Sequence, residues 1–434
     1  MYHKKPIGYL QGGCVFLLLM SSLAFATVKT QSINVKHATQ IALEKNPNLA
    51  QIHARYQALK EVPSQVSSLP DPMVSIGSIN FPTDTFNRAQ EAMTNIQVGF
   101  TQDFPYPGKL DLRGEIAEFE ATASMYNVEE ARLLLADNTT RTWWKLYYLD
   151  RALETIDTNQ ALLRQFTQIA EEKYTTGKGL QQDVLLAQLE LSKLTDQEIQ
   201  VIGLRKNQNI ILNLLMGRDP SQNITLGTKK HKKLSSKMTE RKLYALAEEY
   251  RPILKREETR LLASGSRLAL AEKEFYPDFK VSLSYGDRTG YNPNSFNDPR
   301  SDLLSLRVGI KVPLYYKTKQ SKAVQQRFIE QQGSSFALEN EKLRVMSEIS
   351  KYYTDYKQTT RQLQLYETGI LPQARLTVQS MRTGYQVSKV DFLNLVRSQV
   401  TLFNYELLYW KVYTESMQAL SGMQAKVGKV KIYE

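Results

Sequence analysis

Cysteine is all but missing from this 434-residue chain, in which Cys14 stands alone. A lone thiol cannot close a disulfide within the chain, so stability must come from burial and secondary structure. Long apolar runs are equally scarce. Past residue 26 no stretch reaches the roughly 18 to 20 apolar residues that a membrane-spanning helix requires. Entry into a bilayer is then open only to a β-barrel. Histidine is rare as well: after the N-terminal segment only His37, His53 and His231 occur, in no metal-ligand spacing. HExxH, GxSxG and Walker sequences are absent, which removes the common hydrolase, metalloprotease and nucleotide-hydrolysing classes. The expectation is no enzyme, no catalytic residue, no cofactor and no resident metal. Met73 and Met93 could touch a soft ion such as Cu(I), but scattered methionines usually serve packing or face lipid.

What is present begins with "MYHKKP", "VFLLLM" and "SLAFA", a basic region, an apolar core and a small-residue cleavage site. Residues 1–26 therefore read as a secretory signal cut after Ala26. Cys14 precedes the apolar core, the wrong order for a lipid-modification site. The formal net charge is +12, part of it from Lys4 and Lys5 of the signal. For an exported protein a basic balance fits a solvated or lipid-adjacent surface better than nucleic acid. The "KKHKK" run at 229–233 reads as part of an exposed, Lys-rich linker over 221–239.

Apolar spacing predicts a helix over 35–67. "SLPDP" ends it, and from Met73 the pattern alternates. The same period returns at 95–104, where Ile96, Val98, Phe100 and Phe104 interleave with Gln97, Gly99, Thr101 and Asp103, the signature of strands with one apolar face. After "FPYPGK" a proline-free helical pattern runs over 110–173, roughly 96 Å if straight. "TTGKG" breaks it, and a second helix follows over 180–216, ending at "MGRDP". The order then repeats: a helix over 240–275, strands in "YPDFKVSLSYG" and "LLSLRVGIKVPL", a long helix over 318–384 interrupted by "GILP", and a last helix over 389–421. The duplication is sharpest at "YTTGKGLQQDVLLAQLEL" (174–191) and "YQVSKVDFLNLVRSQVTL" (385–402), where Tyr174 and Tyr385, Lys178 and Lys389, Gln188 and Gln399, and Leu191 and Leu402 fall in register.

The chain is therefore a mainly α, internally duplicated fold: signal 1–26, first repeat 27–220, linker 221–239, second repeat 240–422 and tail 423–434. In each half the two shorter helices together match the long one, which predicts a rod about 100 Å long with strands at one end and the repeated motif at the other. Four strands of about ten residues have the length of membrane-crossing strands, yet four cannot close a barrel. Two chains would make a filled eight-stranded barrel and three a twelve-stranded one with an aqueous passage. The expectation is a homotrimer in outer-membrane lipid. An exported structural coiled-coil rod capped by its hairpins is the competing reading.

The repeated motif, the "NPNLA" and "RPIL" helices and "FPYPGK" resemble the outer-membrane efflux protein family, the TolC-like channel-tunnels, over nearly all of the mature sequence. The resemblance implies a trimer with a 12-stranded outer-membrane β-barrel, four strands per chain, continued by a long periplasmic α-helical tunnel. It further implies docking onto a periplasmic membrane-fusion adaptor and an inner-membrane transporter. "SLPDPMVSIGSINFP" and "AMTNIQVGFTQDFPYPGKLDLRGEIA" are most similar to members serving heavy-metal exporters of the resistance-nodulation-division type, while drug-efflux and protein-secretion members share the architecture.

The family's tunnel closes where the helix pairs turn, held by a tyrosine–aspartate hydrogen bond that matches Tyr385 and Asp183. Such a bond is worth about 1.5 to 3 kcal/mol when shielded. Asp183 can equally cap the first turn of its helix, with Tyr385 as a half-buried aromatic. The family's second link uses an arginine where this chain has Val390, beside Lys389. Its two constriction aspartates match Asn394 and Arg397, and Asp391 could supply carboxylates one turn nearer the tip. The turns Gly177, Lys178, Gly179 and Val387, Ser388, Lys389 are the expected adaptor contacts. Ser388 replaces the family's glycine, so that turn is expected to be stiffer or differently shaped. Arg307 and Lys311 are the expected lumen residues of the barrel.

Overall fold

The computed structural model describes residues 32–227, 232–292, 297–428 and 431–433. The expected signal, Cys14 and His231 lie outside these residues.

The helix expected over 35–67 is three helices, α1 (Val35–Lys45), α2 (Pro47–Lys60) and α3 (Val62–Ser67). Proline lacks an N–H and fits only a helix's first turn, so Pro47 and Pro63 each open a new helix. The helix expected over 240–275 splits for the same reason into α6 (Glu240–Tyr250) and α7 (Pro252–Lys273). Both breaks are built joints. Asn46 accepts from the Leu49 N–H at 3.1 Å and donates its Nδ2 to the Leu215 carbonyl at 2.9 Å. Gly217, at φ 63°, lies so close that a Cβ there would meet the Lys45 carbonyl oxygen at 2.3 Å. In the second half Gly428 abuts the Tyr250 carbonyl in the same way. There Arg251, 1% exposed, sits 2.6 Å from Glu130 and also donates to the Ala425 carbonyl.

The long elements are α4 (Lys109–Thr175), α5 (Gln181–Leu215), α8 (Gln320–Leu365), α9 (Leu371–Gln386) and α10 (Phe392–Val427). At 67 residues, α4 is about 100 Å long. It packs against α5 along one part and against α1, α2 and α3 along the rest, the end-to-end stacking predicted from the helix lengths. In the second half α10 and α6 pack on α8, α10 also packs on α9, and α4 with α7 and α10 joins the halves. Between α8 and α9 the helix widens over Tyr366–Ile370, where the Leu371 N–H reaches the Tyr366 carbonyl five residues back. Pro372 explains it: with no N–H and a ring that crowds the preceding turn, it is accommodated by one wide turn in place of a break. The last helix runs to Val427, past the expected end at 421.

One antiparallel sheet, ordered β1 (Met73–Ile79), β2 (Asn95–Phe104), β3 (Asp278–Asp287), β4 (Leu303–Lys311), carries both strand pairs. At seven residues β1 is shorter than expected. The β2–β3 pairing is what unites the halves. The register stacks Val74, Phe100, Leu283 and Leu306 in one row and Ile76, Val98, Tyr285 and Leu304 in the next. The opposite face stacks Ser75, Gly99, Ser284 and Ser305. One face is thus apolar and exposed, the other small and polar, with Gln97 donating to Ser284 at 2.7 Å and the Thr101 and Ser282 hydroxyls 3.0 Å apart.

The described part of 221–239 is less solvated than expected. Ile224 is buried among Trp143, Leu212 and Met216, Leu226 bridges to Ile33, and Lys232 lies 3.9 Å over the Tyr433 ring. Among the described residues no helix is long and apolar enough to cross a membrane.

Candidate functional site

The two copies of the repeated motif form adjacent turns at the end of the helices farthest from the sheet. In the first, the Lys178 N–H reaches the Lys173 carbonyl at 2.8 Å and the Gly177 N–H the Tyr174 carbonyl at 3.0 Å. In the second, Lys389 reaches Gly384 at 2.8 Å and Ser388 reaches Tyr385 at 3.0 Å. This paired pattern ends a helix through one left-handed residue, here Gly177 at φ 71° and Ser388 at φ 56°. The second turn therefore has the shape of the first, which removes the differently shaped alternative expected for Ser388. The hydrogen bonds hold Ser388 in a conformation that disfavours any residue with a Cβ. Lys173 also backs onto Gly179, as Val390 does onto Gly384, so a large and a small residue exchange places between the turns.

These turns give a direct comparison of backbone strain with steric overlap. A Cβ added at Gly177 would have nothing within 4 Å, whereas one at Gly217 would face a carbonyl. Gly177→Ala is expected to cost about 1 kcal/mol from left-handed backbone alone. Gly217→Ala is expected to cost about 2 kcal/mol more, because overlap adds to strain. Parallel denaturant titrations read both, and equal losses would mean that the Gly217 joint yields freely.

Lys173 is the residue that sequence reasoning missed. From the end of α4 its Nζ donates to the Tyr385 carbonyl at 2.5 Å and to Ser388 Oγ at 3.1 Å, and it lies 4.3 Å from the Tyr385 ring centroid. One ammonium thus ties the first turn to the second, adding a charged donor to a carbonyl at the negative end of α9. Its counterpart in the second repeat is Gly384, so the repeat itself gave no signal for it.

Tyr385 is 5% exposed, packed beside Phe392 with ring centroids 5.1 Å apart. Its hydroxyl is buried and has no hydrogen-bond partner among the described residues. Desolvation, followed by the charge of Asp183, pushes the phenol up to about 12. The Asp183 carboxyl is raised by desolvation and by Asp391 across the turn, and pulled down by a backbone hydrogen bond at Leu180 and by Lys173. The structure brings Tyr385 and Asp183 within electrostatic reach without a hydrogen bond between them. The Leu180 bond is the reach-back of an acid at the third helical position to its cap residue.

Asp391, Asn394 and Arg397 lie exposed and nearly in line along α10, one turn apart. Val387, Ser388, Lys389, Gly177 and Lys178 are exposed at the turns, with Gly179 half-buried. Behind them Gln399 donates to Asn159 at 2.6 Å and ties α10 to α4. At the other end Arg307 and Lys311 fall on the small, polar face of the sheet. Met73 shares that face, while Met93 lies outside the strands. "FPYPGK" acquires a role there: buried Lys109 bonds Asp278 at 2.8 Å, Glu274 at 3.3 Å and the Tyr276 carbonyl at 3.2 Å, clamping helix to sheet. Val312, Leu314, Tyr315 and Tyr316, just past β4, are exposed, an apolar and aromatic band of the kind found at membrane interfaces.

The pattern of the outer membrane efflux protein family matches residues 38–218 and 243–428. The fold is similar to the outer-membrane channel OprN, with a TM-score of 0.78 at 16% identity over 91% of this chain and 90% of that one. It is similar to CusC, described for its folding and transmembrane channel formation, at TM-score 0.75 and 16% identity over 91% and 92%. It is also similar to the outer membrane protein VceC of Vibrio cholerae, at TM-score 0.73 and 17% identity over 91% and 96%. Among curated proteins none matches this sequence.

Proposed function

Since the chain belongs to the outer membrane efflux protein family, we propose that three copies close a twelve-stranded barrel in the outer membrane and conduct cargo passively from a periplasmic adaptor and an inner-membrane resistance-nodulation-division transporter. The observation that carries this is the sheet's division into one mainly apolar face and one mainly small or polar face, at the end of helices about 100 Å long. Lipid accepts the first face and water the second. Four strands with open edges leave backbone groups unsatisfied in lipid, so closure by neighbouring copies is required. Apolar side chains left exposed on α5, such as Leu185, Leu189 and Ile199, and on α8, such as Phe328, Phe336 and Leu343, support lateral packing of those copies.

The helical turns are the resting gate in this reading. Lys173 closes it within each chain, and Asp183 and Tyr385 form a second contact that tightens as water is excluded. Asp391, Asn394 and Arg397 line the constriction, and the exposed turn residues meet the adaptor. An enzyme has no support, because the family consists of channels.

Heavy-metal ions are the proposed cargo, resting on the similarity of the strand segments 68–82 and 92–117 to the metal-exporter branch. A deletion strain is expected to accumulate one or more of copper, zinc, cadmium and cobalt while clearing a fluorescent drug-like dye normally. Dye retention with unchanged metals would move the chain to the drug-efflux branch, and neither effect would remove the efflux role.

A further inference from the structure

We infer that Arg307 places a ring of three guanidinium groups at mid-height in the barrel lumen and makes that section anion-preferring; the inference rests on the trimeric channel proposed above. In the register Arg307 stands level with Ser282, Thr101 and Met73 on the small, polar face. The next row toward the loops is Ser75, Gly99, Ser284 and Ser305, so on that side only small residues adjoin the guanidinium. Arg307 is exposed and has no ion pair or hydrogen bond among the described residues.

Among the described residues, Lys280 and Asp278 of this face have ion-pair partners. Lys280 pairs with Asp103 at 3.2 Å. Asp278 binds Lys109 at 2.8 Å and lies opposite Lys311 in the register. Arg307 is thus a cation of this face with no ion pair among the described residues and no acid opposite it in the register, repeated three times around one level. Charge of one sign on a low-dielectric wall focuses the field into the passage and concentrates ions of the other sign. Small anions and anionic complexes pass, whereas free divalent cations are disfavoured. A metal cargo would then cross as a neutral or anionic complex.

The test is the reversal potential of the purified full-length channel in a planar lipid bilayer under a potassium chloride gradient. Arg307→Ser and Arg307→Glu are recorded in the native background and with Asp391→Ala, so that selectivity set at the helical tip is separable from that of the barrel. The native protein is expected to favour chloride. Arg307→Ser should bring the chloride-to-potassium permeability ratio toward unity, and Arg307→Glu should invert it in at least one background. Lys311→Ser, with Asp278 opposite, should shift it less. An unchanged ratio for Arg307→Glu in both backgrounds, with conductance intact, overturns the ring. Trimers that conduct nothing in any variant would instead overturn the channel reading, and the inference with it; monomers on cross-linking would do the same.

Discussion

Arg251→Ala is expected to lower the unfolding free energy by about 4 kcal/mol per chain. The guanidinium holds Glu130 at 2.6 Å and also donates to the Ala425 carbonyl, and both charges are nearly sealed from water. Burial raises the Glu130 carboxyl despite the attraction of Arg251, and lowers the Arg251 guanidinium despite the attraction of Glu130. Desolvation is therefore the larger effect at both partners, and the pair itself adds little net stability. Removing one partner is different, because it strands the other charge in a dry site. Without Arg251 the folded-state value of Glu130 climbs further above its unfolded one. A group raised in this way contributes stability below the unfolded value and loses it as pH rises through the folded one. The deficit should thus be greatest at neutral pH and shrink as pH falls through the carboxylate range. Arg251→Met combined with Glu130→Leu should recover most of it. Denaturant titration at fixed protomer concentration, run across pH, measures all three. A loss under about 1 kcal/mol with no pH dependence would mean that Lys426 and Arg256, which also act on Glu130, already neutralise it.

Lys173→Met is expected to raise the resting open probability of the channel by roughly 10- to 100-fold, since a lost charge-assisted hydrogen bond is worth about 1.5 to 3 kcal/mol. Methionine keeps the length and apolar stem of the side chain and removes only the ammonium. The Tyr385 carbonyl then keeps only its backbone donors, Ser388 Oγ loses the ammonium, and the cation over the Tyr385 ring disappears. Lys173→Arg should retain most of the closure. Tyr385→Phe should change less, because the hydroxyl it removes has no hydrogen-bond partner among the described residues. Single-channel recordings decide between the two contacts. Wild-type closure in Lys173→Met, together with leakage in Tyr385→Phe, would assign the gate to the Tyr385–Asp183 pair.

Much of the architecture is legible in local pattern. The period-two alternation in β2, β3 and β4 announces strands with one apolar face, and the register confirms which residues share it. The proline-free stretch from Leu110 onward announces α4, and the repeated motif locates the tip. Pro47 and Pro252 are visible too, but apolar spacing carries the reading across them. Spacing reports which face is buried and is blind to a break that preserves that face. At Ser388 residue type alone suggests a turn of different shape, whereas two backbone hydrogen bonds impose the same one.

Lys173, Arg251 and Lys109 are beyond local pattern. Each is a cation whose partners lie far away in sequence, at Tyr385 and Ser388, at Glu130 and Ala425, and at Glu274 and Asp278. By itself the sequence determined the repeated order of elements, the long proline-free α4 and the two-faced strands, because periodicity and composition are properties of neighbours along the chain. Only the tertiary structure decided which lysine joins the turns, which arginine is buried and which is left unpaired on the sheet. Those outcomes depend on distances between residues that folding brings together, and on the water that folding removes from around them.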